Sequence, residues 1–251
     1  MDGRVALVTG AARNIGAEIA LRLAADGAAV AVNHRGADSA GAAGEVVRRI
    51  EAAGGAALAI EADVGDERAV ERMAAAASDA LGPVDLLVNN AAASVTAERP
   101  WLQLTADDWD RVLRTNVTAC FLTAKALLPS LAAHRGSIVN ISSIRAVTGK
   151  PGNLHYAASK AAQIGFTRAL ARELGPQGVR VNTLLVGAIT TPDEARYGDQ
   201  AEVDEQVLAV QALQRRGMPS DVAGVVSFLC QEAAGFITGQ SLVVDGGWVL
   251  R

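Results

Sequence analysis

Short β-branched, mostly apolar runs recur along the chain at residues 5–8, 29–32, 57–60, 84–88, 137–141, 179–185 and 241–244, rich in Val, Ile and Leu. Longer stretches separate them, with apolar residues spaced at three and four. The spacing over residues 17–25 predicts a helix, as does the Ala-rich stretch 37–55, with Val46, Val47 and Ile50 inward. Residues 105–131 read as one long helix. Runs that are apolar at most positions, without a regular polar face, read as strands covered on both faces. Seven of them with helices between them therefore predict an α/β fold, a doubly wound seven-stranded parallel sheet.

Half of the 251 residues are hydrophobic, enough for one buried core, and no linker or repeat divides the chain. A single domain is expected. The net charge of −4 without Lys/Arg clusters gives no footprint for nucleic acid. No apolar run is expected to reach membrane-spanning length, so no membrane partner is implied. Met1 leads directly into a strand pattern without a basic, apolar leader, and a cytoplasmic address is the default expectation. The two cysteines, Cys120 and Cys230, stand far apart in apolar contexts and read as buried thiols. The three histidines are scattered, so no metal site is argued.

Ligands of open parallel sheets bind where strands end, and four such ends are informative here. After the first strand, Thr9-Gly10-Ala11-Ala12-Arg13-Asn14-Ile15-Gly16 opens a helix. Gly10 allows a tight turn and Gly16 a close helix–strand approach, while the helix N-terminus offers N–H groups to a pyrophosphate. Asp63-Val64 follows the third strand, and Asn89-Asn90-Ala91-Ala92 the fourth. The second ends Asn33-His34-Arg35, with no carboxylate to bind a ribose 2′-hydroxyl. Arg35 and Arg13 can flank a 2′-phosphate instead, which favours NADP(H) over NAD(H).

Chemistry enters with Tyr156-Ala157-Ala158-Ser159-Lys160, where a spacing of four places a phenol and an ammonium on one helix face. A fixed cation beside a phenol favours phenolate and brings acid–base work within reach of neutral pH. Ser143 stands thirteen residues before Tyr156, near enough for a loop to return it, and Asn116 is an amide in an otherwise apolar run.

With these motifs in order, the chain resembles the short-chain dehydrogenase/reductase family over nearly its whole length, down to a closing Thr238-Gly239-Gln240 and Asp245-Gly246-Gly247. The resemblance implies a single Rossmann-type domain, with a dinucleotide-binding half over residues 1–90, a catalytic half over 91–251, and a substrate lid over about 188–212. It implies a catalytic set of Asn116, Ser143, Tyr156 and Lys160. Tyr156 protonates a carbonyl oxygen, or acts as base in reverse. Ser143 holds that oxygen, Lys160 binds the nicotinamide ribose and tunes Tyr156, and Asn116 holds a water linking Lys160 to solvent. Cofactor contacts are expected from Gly10, Arg13, Asn14, Ile15, Gly16, Asn33, His34, Arg35, Asp63, Val64, Asn90, Ala91, Tyr156, Lys160, Gly187, Ile189 and Thr191.

Three residues depart from the family pattern. Asn14 stands for a glycine, Ala92 for another, and Val186 for the usual proline before Gly187. Asn tolerates positive φ, so the turn should survive.

The pocket would be lined by residues 93–101, 144–155 and 187–197, which mix Trp101, Leu154 and Tyr197 with Arg145, Lys150 and Arg196. The likeness is strongest to 3-oxoacyl-carrier-protein reductases, implying a ketoreductase acting on a small carbonyl or alcohol, or on a carrier-protein thioester. His134, Arg135 and Gln177 match only in part the basic loops such a partner would want. Alternatives are an NAD-dependent sugar or secondary-alcohol dehydrogenase and a non-catalytic NADP-binding sensor. The family is usually homotetrameric, with Leu113, Val117 and Phe121 on one long helix and Ala161, Ile164 and Leu170 on another available for packing.

Overall fold

The computed structural model describes residues 1–93 and 99–250, without the side chains of 195–197. Residues 94–98, expected at the pocket, and the Arg196 and Tyr197 side chains lie outside what is described. The first part of the chain runs β1 (Val5–Val8), α1 (Asn14–Ala25), β2 (Ala29–His34), α2 (Ala37–Ala52), β3 (Ala57–Glu61), α3 (Glu67–Leu81) and β4 (Leu86–Asn89). After it come α4 (Ala106–Leu113), α5 (Ala119–Ala133), β5 (Ser137–Ser143), α6 (Arg145–Thr148), α7 (Leu154–Leu174), β6 (Arg180–Val186), α8 (Gln200–Leu208), α9 (Pro219–Cys230) and β7 (Ser241–Val244).

All seven strands pair in parallel in the order β3-β2-β1-β4-β5-β6-β7. Because side chains alternate across a strand, β1 sends Ala6 and Val8 to one face and Val5 and Leu7 to the other, and all four are buried. On the first face Ile19, Leu23, Val46, Ile50, Val222 and Leu229 bring α1, α2 and α9 onto the sheet. On the second, Val70, Met73, Leu127, Leu131 and Leu174 do the same for α3, α5 and α7. The continuous apolar runs are thus explained by two covered faces.

The order reverses at β1, which pairs with β2 on one side and β4 on the other. At that switch point the chain diverges above and below the sheet and leaves a crevice at the carboxyl ends.

The expected long helix over 105–131 is interrupted. Thr105 caps α4 in a reciprocal capping box with Asp108, and a π-helical turn at Arg114–Thr118 separates α4 from α5. Single π turns widen a helix by one residue and gather at functional sites, and Asn116 lies within this one. The composite helix, Ala106–Ala133, corrects the expectation that no run reaches spanning length, because by length and composition it is apolar enough to cross a membrane. Its apolar residues have another purpose: Leu122, Leu127 and Leu131 are buried in the second face of the core. Cys120 and Cys230 are free and buried, as expected.

Candidate active site

Parallel pairing sets every carboxyl strand end on one edge, so the segments following β2, β1, β4, β5 and β6 stand side by side there. Most of the candidate residues follow those strands and so lie along that edge of the sheet.

The turn after β1 is built for close approach. Gly10 has φ 61°, and a Cβ there would lie 2.9 Å from Ala91 Cα. Gly16 is tighter still, since a Cβ would meet Gly10 O at 2.3 Å and Asn90 Nδ2 at 2.5 Å. Asn14 opens α1 at φ 52°, confirming that the turn keeps its left-handed geometry without glycine. At the N-cap, Arg13 makes no side-chain cap bond, and the first turn holds no acidic residue. A helix start left uncapped, with its dipole facing the crevice, fits the pyrophosphate of a dinucleotide.

Neighbouring strand ends clamp this turn. Thr9 Oγ1 accepts from the N–H groups of Asn90 and Ala91, each at 3.0 Å, while Asn90 Nδ2 donates to the carbonyls of Thr9 and Gly10. Asn33 lies beneath it, 2% exposed. Its Oδ1 accepts from Gly10 N, and its Nδ2 donates to the carbonyls of His34, Ile60 and Ala62. This amide bonds the backbone on both sides, so Asn33 braces the turn beside the expected cofactor site. His34 is likewise buried, its Nδ1 3.2 Å from Gly36 O. Arg35, Arg13 and Asp63 are exposed. Asp63 accepts from Gly65 N, which shapes the turn after β3, and Val64 is buried beside it. Ile15 packs on the core under the turn.

Across the cleft, Gly187 N donates to Val244 O, and a Cβ on Gly187 would lie 2.6 Å from Asp245 Cβ. The chain then runs past Ile189, bridged to Gly217, to Thr191, whose carbonyl accepts from Glu194 N.

The reacting end rests on α7. Two bonds pin this helix to β5: Lys160 Nζ donates to Ile141 O at 2.7 Å, and Ser142 Oγ donates to Lys160 O at 2.8 Å. Ile141 and Ser142 immediately precede Ser143, so Tyr156, one turn before Lys160, is carried to the strand end that bears Ser143. Lys160 Nζ lies 5.6 Å from the Tyr156 ring centroid, a cation over an aromatic face. Lys160 is 2% exposed, and burial lowers its pKa from 10.5 to about 8. Ser143 Oγ accepts from Arg145 N.

Asn116 is fully buried. The π turn aims its carboxamide sideways, where Oδ1 accepts from Ala93 N at 2.8 Å and Nδ2 donates to Ser159 Oγ at 2.9 Å. Its carbonyl accepts from Gln163 Nε2 at 2.7 Å. Asn116 therefore ties the loop after β4 to α7.

Several supporting residues went unread in the sequence. Thr123 donates to Asn89, Asn89 to Asn140 and Asn140 to Thr167, a buried polar chain running from α5 through β4 and β5 to α7. Its signal was available. Tyr156, Ser159, Lys160, Gln163 and Thr167 form a polar stripe at helical spacing, and the last four are buried. A polar face turned inward marks a helix that carries a site.

A family model described as enoyl-(acyl carrier protein) reductase matches residues 10–249. The chain belongs to the short-chain dehydrogenase/reductase family. A 3-oxoacyl-[acyl-carrier-protein] reductase of Synechocystis sp. is 40% identical over 100% of this chain and 98% of its own. Its Staphylococcus aureus counterpart is 39% identical over 96% of each. Among solved structures, a blue fluorescent protein from a metagenomic library, in complex with NADPH, is 41% identical with a TM-score of 0.90, covering 99% of both chains. A 7α-hydroxysteroid dehydrogenase complexed with NADH and 7-oxo glycochenodeoxycholic acid is 35% identical with a TM-score of 0.91, covering 100% of this chain and 96% of its own. This short-chain dehydrogenase/reductase is accordingly an oxidoreductase that interconverts a ketone and its secondary alcohol.

Proposed function

We propose that this oxidoreductase uses NADP(H) to reduce a 3-oxoacyl thioester presented by a carrier protein, with residues 188–212 covering the substrate. The observation that carries the reading is the pinning of Lys160, one turn after Tyr156, to the end of β5, two strands from β1 and the uncapped helix start after it that suits a pyrophosphate. Relatives named as 3-oxoacyl reductases at 38–40% identity, and a neighbour solved with NADPH, support it.

The nicotinamide, when bound, supplies the hydride. Tyr156 gives its phenolic proton to the substrate oxygen as charge develops there, and Ser143 Oγ holds that oxygen in place. Lys160, fixed through Ile141 O, offers its ammonium to the ribose and favours the phenolate that Tyr156 leaves behind. Asn116 and Gln163 keep α7 at the right height over the strand end. Positioned proton transfer of this kind is worth about 10²–10⁴ in rate. Gly10, Asn14, Gly16, Asn90 and Ala91 would hold the pyrophosphate side, with Arg13 and Arg35 on the 2′-phosphate at the rim.

Outward residues of α5 and α7 support homotetramer assembly. Phe121 is 51% exposed and Ala161 lies bare on these helices. Two free cysteines are compatible with a reducing, cytoplasmic setting.

The test is NADPH consumption by the pure protein against 3-oxoacyl thioesters, diketones and 2-enoyl thioesters, each also with NADH. Tyr156→Phe should abolish ketone reduction while leaving NADPH affinity within about threefold. Near-wild-type turnover in Tyr156→Phe refutes the proton donor, and a higher kcat/KM with NADH refutes the NADP(H) assignment. The family model's description makes 2-enoyl reduction the second reading, and the panel separates the two.

A further inference from the structure

The segment between β6 and α9 is braced largely on itself. Arg216, 10% exposed in its side chain, pairs with Glu194 at 2.5 Å and with Asp204, while Thr190 N donates to Gly217 O. From this braced unit one carboxylate reaches across the cleft. Asp193 Oδ2 accepts from Asn14 Nδ2 at 2.7 Å, and Arg13 Nε stands 3.8 Å from the same oxygen. The two partners are 179 positions apart.

This contact requires Asn14 to be an asparagine. The glycine that the family pattern has at this position would keep the backbone at φ 52° but carry no donor. Asp193 also sits beside the start of α1, where the helix dipole and Arg13 both favour an anion. Its carboxylate thus engages the mouth of the region that a pyrophosphate would use.

We propose that Asn14 and Asp193 form a latch joining the substrate lid to the phosphate turn, which must open for the nicotinamide cofactor to enter or leave. Both are positioning residues. The inference rests on the reading of this cleft as the NADP(H) site, and it adds a gate that the phosphate turn alone does not imply.

A gate slows both directions of exchange, whereas a residue that merely contacts the cofactor changes chiefly the off-rate. Stopped-flow NADPH fluorescence on wild type, Asp193→Ala, Asn14→Gly and the double variant distinguishes them. Each single substitution should raise both kon and koff about fivefold, as expected for one charge-assisted surface bond, and the double variant should add nothing further. Rates unchanged in either single variant, or effects that multiply in the double, overturn the latch. Hydrogen exchange in residues 188–212 of the protein without cofactor reads the same contact independently. Exchange there should quicken in both single variants, while α3 stays as it was, and unaltered exchange overturns the proposal. If wild type binds no NADPH, the cofactor reading has failed, and the exchange result still decides whether the latch exists.

Discussion

Lys160 is costly to bury, and its cost can be measured. The residue is 2% exposed, with Ile141 O accepting from its ammonium, and burial lowers its pKa from 10.5 to about 8. A shift of that size corresponds to about 3 kcal/mol at 1.36 kcal/mol per unit. The folded pKa is below the unfolded one, so between about pH 8 and 10.5 the unfolded chain binds the more protons and stability rises with pH. Below pH 8 the full penalty is present. Lys160→Met removes it but leaves the Ile141 carbonyl without its donor, a loss of about 1–3 kcal/mol. Near pH 7 the variant should therefore be about as stable as wild type, or up to about 2 kcal/mol more stable, while its turnover falls at least about 10²-fold.

The sharper signature is the pH dependence of the difference. Urea unfolding of both proteins at equal concentration, from pH 7 to 10.5, should show wild type gaining about 3 kcal/mol on the variant, with the slope m unchanged. Cys120, whose thiolate would raise the Lys160 pKa, stays mostly neutral in this window, because burial pushes its thiol up to about 11. A difference that stays flat with pH refutes the claim that Lys160 is held in a penalised state for the sake of its charge.

Two further outcomes are expected. Gly16→Ala forces a Cβ to 2.3 Å from Gly10 O, so it should abolish NADPH binding by fluorescence titration and lower stability by about 1–3 kcal/mol in urea; full-strength binding would mean that the turn has room the geometry denies. Cys120 and Cys230, with pKa values raised by burial to about 11 and about 12, should resist a thiol reagent at pH 8 in the folded protein and react fully in urea; fast labelling of either in native protein contradicts its burial.

The sheet was legible because its chemistry is local. A strand buried on both faces is apolar at most positions, and no helix of ordinary amphipathicity produces runs such as Ala29–Val32 or Leu184–Val186. The phosphate turn was legible for a related reason, since Gly10 and Gly16 are sites where a single Cβ collides with backbone. The break in the long helix was not. Hydrophobic spacing cannot register one extra residue in a turn, and the π segment at Arg114–Thr118 shows itself only in how Asn116 is aimed. The bracing by Asn33 was not legible either. Its bonds to Gly10, Ile60 and Ala62 join three strand ends that spacing does not connect.

What separates the two groups is the range over which a residue's role is decided. Gly16 is constrained by atoms a few residues away and by the neighbouring strand end, and Tyr156 and Lys160 by one helical turn, so their spacing carries the message once Ser143, Asn116 and the turn after β1 stand in order with it. Asn14 is different. Its local signal says only that positive φ is tolerated, and its partner Asp193 belongs to a segment whose path depends on Arg216 meeting Glu194 and Asp204. Here the candidate chemistry is written into short-range motifs, while the Asn14–Asp193 contact joins segments 179 positions apart. A departure from the glycine of the phosphate turn is therefore better read with its tertiary partner than as a tolerated lapse.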